Sequence, residues 1–283
     1  MRVYEPGDVT ISSFSVILAA MDARRGGRPA VAVVAITVLI GATVVSVVAA
    51  PKRRVILYGD SLASEARDWF SLAMQGDGRG EVVDRTLGGT AICDWLDKMR
   101  GDAHRFQPSA VVFEFVGNNV TNCVRGPTGP LTGAALVDRY REDARTATKI
   151  FAGLGVRVYW MGAPAVAPAS PTTAVDINAV RRVEEAEAGG WTFARPPLDR
   201  VQYVDAGQAV LDHGRYAGTL PCLPSERLED GCAGGRMQVR ADDGVHFCPA
   251  GAVQGGGRCP VYSGGAARFG LAMAAPVRRD LGL

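Results

Sequence analysis

The chain has 283 residues, 47% of them hydrophobic and 21% charged, with a formal net charge of +2. That length suits one domain, or one domain plus an appendage, with ample chain to bury a core. So slight a charge, with arginines scattered and no aromatic-interleaved basic stripe, argues against a nucleic-acid partner.

The surplus of apolar residues lies near the start. Residues 1–28 read as an N-terminal tail, within which Met21-Asp22-Ala23-Arg24-Arg25 would make an ordinary charged leader if translation began at Met21 instead of Met1. Pro29 to Ala50 carries no charge and is long enough to cross a bilayer as a helix. Arg24, Arg25 and Arg28 precede it, and Lys52, Arg53 and Arg54 follow. The favoured orientation has the amino terminus inside and residues 52–283 exported as the catalytic domain. The other reading is a cleaved signal peptide ending near Val48-Ala49-Ala50, with a secreted product.

Strand and helix patterns then alternate. Val55-Ile56-Leu57-Tyr58 is an apolar run fit for a buried parallel strand, broken at Gly59 and followed by a helix from about Leu62 to Met74. Glu81 to Thr86 is the second strand, Thr90 to Met99 a helix, and Ala110 to Val116 the third strand. Leu131 to Leu154 has the 3.6-residue period of a long helix, with strand Val156 to Met161 behind it. A helix at about Ala174 to Ala188 leads to the strand Val201 to Asp205. Strands separated by helices of this length imply a parallel sheet of about five strands, covered by helices on both faces. From Gly207 to Asp243 regular pattern fails, and a closing helix is expected near Ala266 to Arg279.

All six cysteines lie after the apolar segment, and none forms the Cys-x-x-Cys pairs of a zinc site. No metal and no cofactor is expected. Disulfides in an oxidising compartment account for them better than six reduced core thiols. The topology suggests Cys93 with Cys123, on neighbouring strand-end loops, Cys222 with Cys232, and Cys248 with Cys259.

In a doubly wound sheet the strand ends gather at one edge, so each exit loop is a candidate for the site. The first strand delivers Gly59-Asp60-Ser61, a strand-turn-helix corner where free N–H groups and the helix dipole favour a developing negative charge. Taken alone the tripeptide also suits a plain helix cap, with Ser61 at the cap and Glu65 in the next turn. The second strand delivers Gly88-Gly89, where the backbone can approach a ligand closely. The third delivers Gly117-Asn118-Asn119, whose amides are donors. Late in the chain, Asp242-Asp243-Gly244-Val245-His246 places a carboxylate three residues before an imidazole. Together these are the parts of a nucleophile, oxyanion donors, an orienting acid and a general base.

Four ordered blocks of this kind resemble the SGNH hydrolases, also called GDSL esterases and lipases, in an exported form of actinobacterial type. The resemblance covers roughly Arg54 to the carboxyl terminus. It implies a flavodoxin-like α/β/α sandwich without metal or cofactor, with Ser61 as nucleophile, His246 as base and Asp243 holding the imidazole. The oxyanion would be bound by the N–H groups of Ser61 and Gly89 and the side chain of Asn118. The third block of the family usually reads G-x-N-D, and here Asn119 stands in place of the aspartate. That puts the support of the loop in question, where Asn119 and Asn122 would brace and Cys123 would staple. Asp60 is expected to support the turn by accepting backbone hydrogen bonds. Of the other two histidines, His104 should lie at the opposite edge of the sheet, and His213, beside Asp212, competes with His246 less well because the D-x-x-H spacing is lacking.

The expected activity is hydrolysis of an ester-linked acyl group, from acetyl to fatty acyl, on an envelope lipid, glycolipid or acylated glycan near the membrane. The catalytic domain is expected to be monomeric, with the membrane as its other partner through residues 29–50. Transfer of the acyl group to a sugar by the same triad is an alternative, as is a catalytically silent carbohydrate-binding domain.

Overall fold

The computed structural model describes residues 51–168, 200–249 and 258–283. The tail and apolar segment of residues 1–50 and the helix expected at about residues 174–188 lie outside the described residues.

Among the described residues, five parallel strands form one sheet: β1 (Arg53–Gly59), β2 (Gly80–Thr86), β3 (Ala110–Glu114), β4 (Arg157–Met161) and β5 (Val201–Val204). Their spatial order is β2-β1-β3-β4-β5. This is the flavodoxin-like doubly wound order, whose reversal point lies between β1 and β3. Helices α1 (Ser61–Gln75), α2 (Leu96–Phe106), α3 (Gly133–Ala152) and α4 (Gly264–Leu281) cover the sheet.

The central strands are apolar throughout because both of their faces are buried. Ile56 and Tyr58 of β1, Val111 and Phe113 of β3, and Val158 and Trp160 of β4 point to one face, where α2 and α3 supply Met99, Tyr140, Ala144 and Phe151. The alternate residues Val55, Leu57, Val112, Tyr159 and Met161 point to the other, where α1 and α4 supply Leu62, Ala66, Phe70, Met74, Phe269 and Met273. The four-residue spacing of Leu62, Ala66, Phe70 and Met74 puts one continuous stripe of α1 on the sheet.

Two expected boundaries move. The helix foreseen from Thr90 to Met99 is a 3-10 turn, Ile92–Asp94, followed by α2, which continues to Phe106. Local polar groups redirect the chain there: the Asp94 carboxylate accepts the Ala91 N–H at 2.8 Å, and the Thr90 hydroxyl donates to the Leu87 carbonyl at 2.7 Å. The long helix starts at Gly133, because Gly129–Pro130 pairs with Arg125–Gly126 in a short antiparallel ribbon. The segment without regular pattern contains a 3-10 turn, Ala206–Val210, and two short ribbons, Leu211–Asp212 with Arg215–Tyr216 and Thr219–Pro221 with Arg236–Gln238.

All three suggested disulfides are present, Cys93–Cys123, Cys222–Cys232 and Cys248–Cys259. The first ties the turn after β2 to the loop after β3, at the same edge of the sheet.

Gly59 closes β1 under the start of α1. A Cβ there would stand 2.3 Å from the Ala63 Cβ and 2.6 Å from the Glu114 carbonyl oxygen. Gly59→Ala is therefore expected to destabilise the fold by about 1–3 kcal/mol or more through overpacking, read as a lowered urea midpoint with an unchanged slope.

Candidate active site

The corner after β1 decides what Ser61 is free to do. The cap of α1 is Asp60, whose Oδ1 accepts the Leu62 N–H at 3.2 Å. Glu114, at the end of β3, accepts the Ala63 N–H at 3.0 Å, and the Ser64 N–H makes the first helical bond to the Asp60 carbonyl. The hydroxyl of Ser61 is thus released from capping. Its own N–H is, among the described residues, without an acceptor. The same holds for the N–H of Gly89, held at φ +78°, a left-handed conformation suited to glycine.

The imidazole of His246 lies between Ser61 and Asp243. Its Nε2 is 2.9 Å from Ser61 Oγ and its Nδ1 is 2.6 Å from Asp243 Oδ2. A carboxylate only accepts, so Nδ1 carries the proton and Nε2 accepts from the serine hydroxyl. The other oxygen of Asp243 accepts the N–H groups of Val245 at 2.8 Å and His246 at 2.9 Å, which closes the turn around Gly244, at φ +71°. Burial by itself would raise the Asp243 carboxyl. The bonds from the His246 ring and from the two N–H groups outweigh it and hold the acid below the usual aspartate range.

Asp60 is fully buried, and besides the cap its Oδ2 accepts the Val116 N–H at 2.8 Å and the Asn118 amide at 3.0 Å. Burial pushes its carboxyl up to about 7, against the pull of these bonds and of the nearby imidazole. The Asn118 amide also donates to the Thr90 carbonyl at 3.2 Å, so both of its protons are engaged. The Asn118 carbonyl in turn accepts from the Tyr140 hydroxyl at 2.8 Å. Asn119 donates to the Leu131 carbonyl at 3.0 Å, a bond that an ionised aspartate in its place could not make.

The remaining candidates separate cleanly. The His213 ring is exposed at the tip of the Leu211–Tyr216 ribbon, beside Asp212 at 3.6 Å. His104 lines a cleft of about 310 Å³ with Ala103, Gln107, Pro108 and Leu154, at the carboxyl ends of α2 and α3. Sequence reasoning named Glu65 only as part of a plain helix cap, and passed over two further buried residues of the site, Glu114 and Arg240. The one available signal was Glu114, a carboxylate inside an otherwise apolar strand.

The fold and this set of side chains define an α/β protein with the fold of the SGNH hydrolases. Residues 54–254 match the family model described as "Protein of unknown function (DUF459)", and the chain belongs to that family. No curated protein matches the sequence. Among solved structures, the chain is similar to the acetyl xylan esterase AlAXEase, at 17% identity and TM-score 0.51 over 79% of this chain and 99% of that one. It is also similar to a lipase/acylhydrolase from Enterococcus faecalis, at 15% identity and TM-score 0.49, over 81% of this chain and 96% of that one.

A carboxyl raised by burial favours the protonated, folded state. The stability Asp60 contributes is therefore fully present below its unfolded value near 4 and is lost as pH rises through about 7. Glu65 and Glu114, also raised chiefly by burial, act in the same direction. Urea unfolding is expected to show stability falling between about pH 4.5 and pH 7.5, and Asp60→Asn to flatten that slope by up to about 4 kcal/mol.

Proposed function

We propose that the protein is a serine esterase that cleaves an ester-linked acyl group by the chain Ser61, His246 and Asp243. The observation that carries this reading is the unbroken run from Asp243 Oδ2 through the imidazole to Ser61 Oγ, at 2.6 and 2.9 Å, beside two N–H groups that have no acceptor among the described residues.

In the first step His246 Nε2 takes the proton of Ser61 as Oγ attacks the acyl carbon, and Asp243 supports the imidazolium. The oxygen of the tetrahedral intermediate takes hydrogen bonds from the N–H groups of Ser61 and Gly89. Asn118 joins as a third donor when the acyl oxygen replaces the Thr90 carbonyl, the longer of its two partners. Return of the proton to the leaving alcohol gives the acyl-enzyme, and water, activated by the same imidazole, releases the acid.

Leu87 and Val120 are exposed, Val120 lies beside Gly89 and Leu87 is two residues before it, and these apolar side chains suit the acyl half of the ester. Three disulfides support an oxidising location. With residues 29–50 read as a membrane anchor, the proposed substrate is an envelope lipid, glycolipid or acylated glycan.

The test is hydrolysis of p-nitrophenyl esters, from acetyl to long acyl, by the full chain in detergent. Ser61→Ala is expected to abolish turnover, and Asn118→Ala to lower kcat by about 10²–10³-fold. Turnover unchanged in Ser61→Ala would overturn the reading, and acceleration by an added sugar with formation of acyl-sugar would replace hydrolysis by transfer.

A further inference from the structure

We propose that Glu65 is a positioning residue for the base, so that one turn of α1 carries both the nucleophile and the anchor of the imidazole. The proposal rests on the esterase reading above. Ser61 and Glu65 are four residues apart, and their side chains leave the same face of α1 one turn apart. Ser61 Oγ meets the ring of His246 at 2.9 Å. Glu65 Oε2 accepts the N–H groups of the next two residues, Phe247 at 2.6 Å and Cys248 at 3.3 Å. The distance between nucleophile and base is thereby referred to a single rigid turn of helix.

The other side of the loop is held too. Arg240, 1% exposed, donates to the Val245 carbonyl at 3.0 Å and to the Ala165 carbonyl at 3.0 Å, with its guanidinium 4.9 Å from the centre of the Phe247 ring. Ser263, the cap of α4, donates to the Phe247 carbonyl at 2.7 Å. The backbone of His246 itself is paired with Asp243 through its N–H and with the Ala241 N–H through its carbonyl. Every polar backbone group from Val245 to Phe247 therefore has a partner, and the imidazole has no slack to take up by backbone motion.

A carboxylate is a costly way to fill position 65. It is 4% exposed, and its Oε1 is buried without a hydrogen-bond partner among the described residues. An apolar side chain would pack α1 at least as well without burying an unpaired oxygen. It would, however, strand the N–H groups of Phe247 and Cys248. The placement is explained by what only an acceptor at this position does, which is to fasten the residues after His246 to the helix of Ser61.

The full chain in detergent is compared as wild type, Glu65→Ala and Glu65→Gln. Active sites are counted with a fluorophosphonate, and p-nitrophenyl acetate turnover is read as kcat per labelled site. Loss of the acceptor is expected to lower kcat per site by about 10²-fold, the cost of about 1 Å of misplacement, with KM within about threefold of wild type. Gln, whose amide oxygen takes the same two N–H groups, is expected to recover most of kcat. The low-field proton resonance of the His246–Asp243 hydrogen bond is expected to vanish in Glu65→Ala and return in Glu65→Gln. Wild-type kcat per site in Glu65→Ala, or an unaltered low-field resonance, overturns the proposal. A Glu65→Ala chain too unstable to purify passes the test to Glu65→Asp, one methylene short of its partners, where the same losses support the proposal and their absence overturns it. Should Ser61→Ala retain turnover, the esterase reading fails, while the resonance still decides whether Glu65 orders the imidazole.

Discussion

The carboxylate of Asp60 holds the working edge of the sheet together. One oxygen caps α1 at Leu62, and the other joins the Val116 N–H and the Asn118 side chain beyond the end of β3. It therefore sets the corner that presents Ser61 and the loop that presents Asn118 by the same three bonds. An alanine would leave all three donors without this acceptor in a fully buried place. A neutral amide would satisfy only some of them, because it offers one acceptor atom where the carboxylate offers two.

Burying an acid here is expensive, and the structure concentrates the expense. Asp60, Glu114 and Glu65 gather around the first turn of α1, all raised chiefly by burial, and Asp60 and Glu65 raise Glu114 further. What offsets the cost is the amino end of α1, since its first N–H groups are the donors that Asp60 and Glu114 accept. A helix amino terminus is positive and its first N–H groups lack partners, so acids are its natural occupants. The arrangement consumes the N–H groups of Leu62 and Ala63 and spares that of Ser61. Selective satisfaction of a helix end, and not the dipole alone, is what leaves the Ser61 N–H without an acceptor among the described residues, as the proposed oxyanion site requires.

The parts of this design differ in how readable they are. The central strands are the most legible in the sequence, because burial on both faces demands uninterrupted apolar runs such as Val55 to Tyr58 and Ala110 to Phe113. The pairing of Cys93 with Cys123 was suggested by the same layout, since their loops leave β2 and β3 at one edge of the sheet, on either side of β1. Ser61, Gly89, Asn118, Asp243 and His246 were visible as short motifs in a fixed order. Glu65 and Arg240 were not, because their partners are backbone N–H and C=O groups, which every residue has. In the runs Ser64-Glu65-Ala66-Arg67-Asp68 and Gln238-Val239-Arg240-Ala241-Asp242 they look like ordinary surface charges. The early turn at Thr90 to Asp94 was hidden for a related reason, because side-chain bonds to nearby backbone override a helical period.

The site also divides by how its pieces are made rigid. The proposed nucleophile and oxyanion groups leave the ends of β1, β2 and β3, and inherit their placement from strands hydrogen-bonded to one another. The proposed base, His246, comes from beyond β5, where the described chain has only short ribbons and turns before α4. No ladder can fix its position, so side chains must. Glu65 grips it from α1, Arg240 from the preceding segment and Ser263 from the cap of α4, while Cys248–Cys259 closes the loop behind it. The cystine fixes the spacing of Cys248 and Cys259, whereas the buried hydrogen bonds act on the backbone of and beside the residue that carries the imidazole. It follows that the disulfide limits where this loop can go, and the polar contacts decide where the imidazole points.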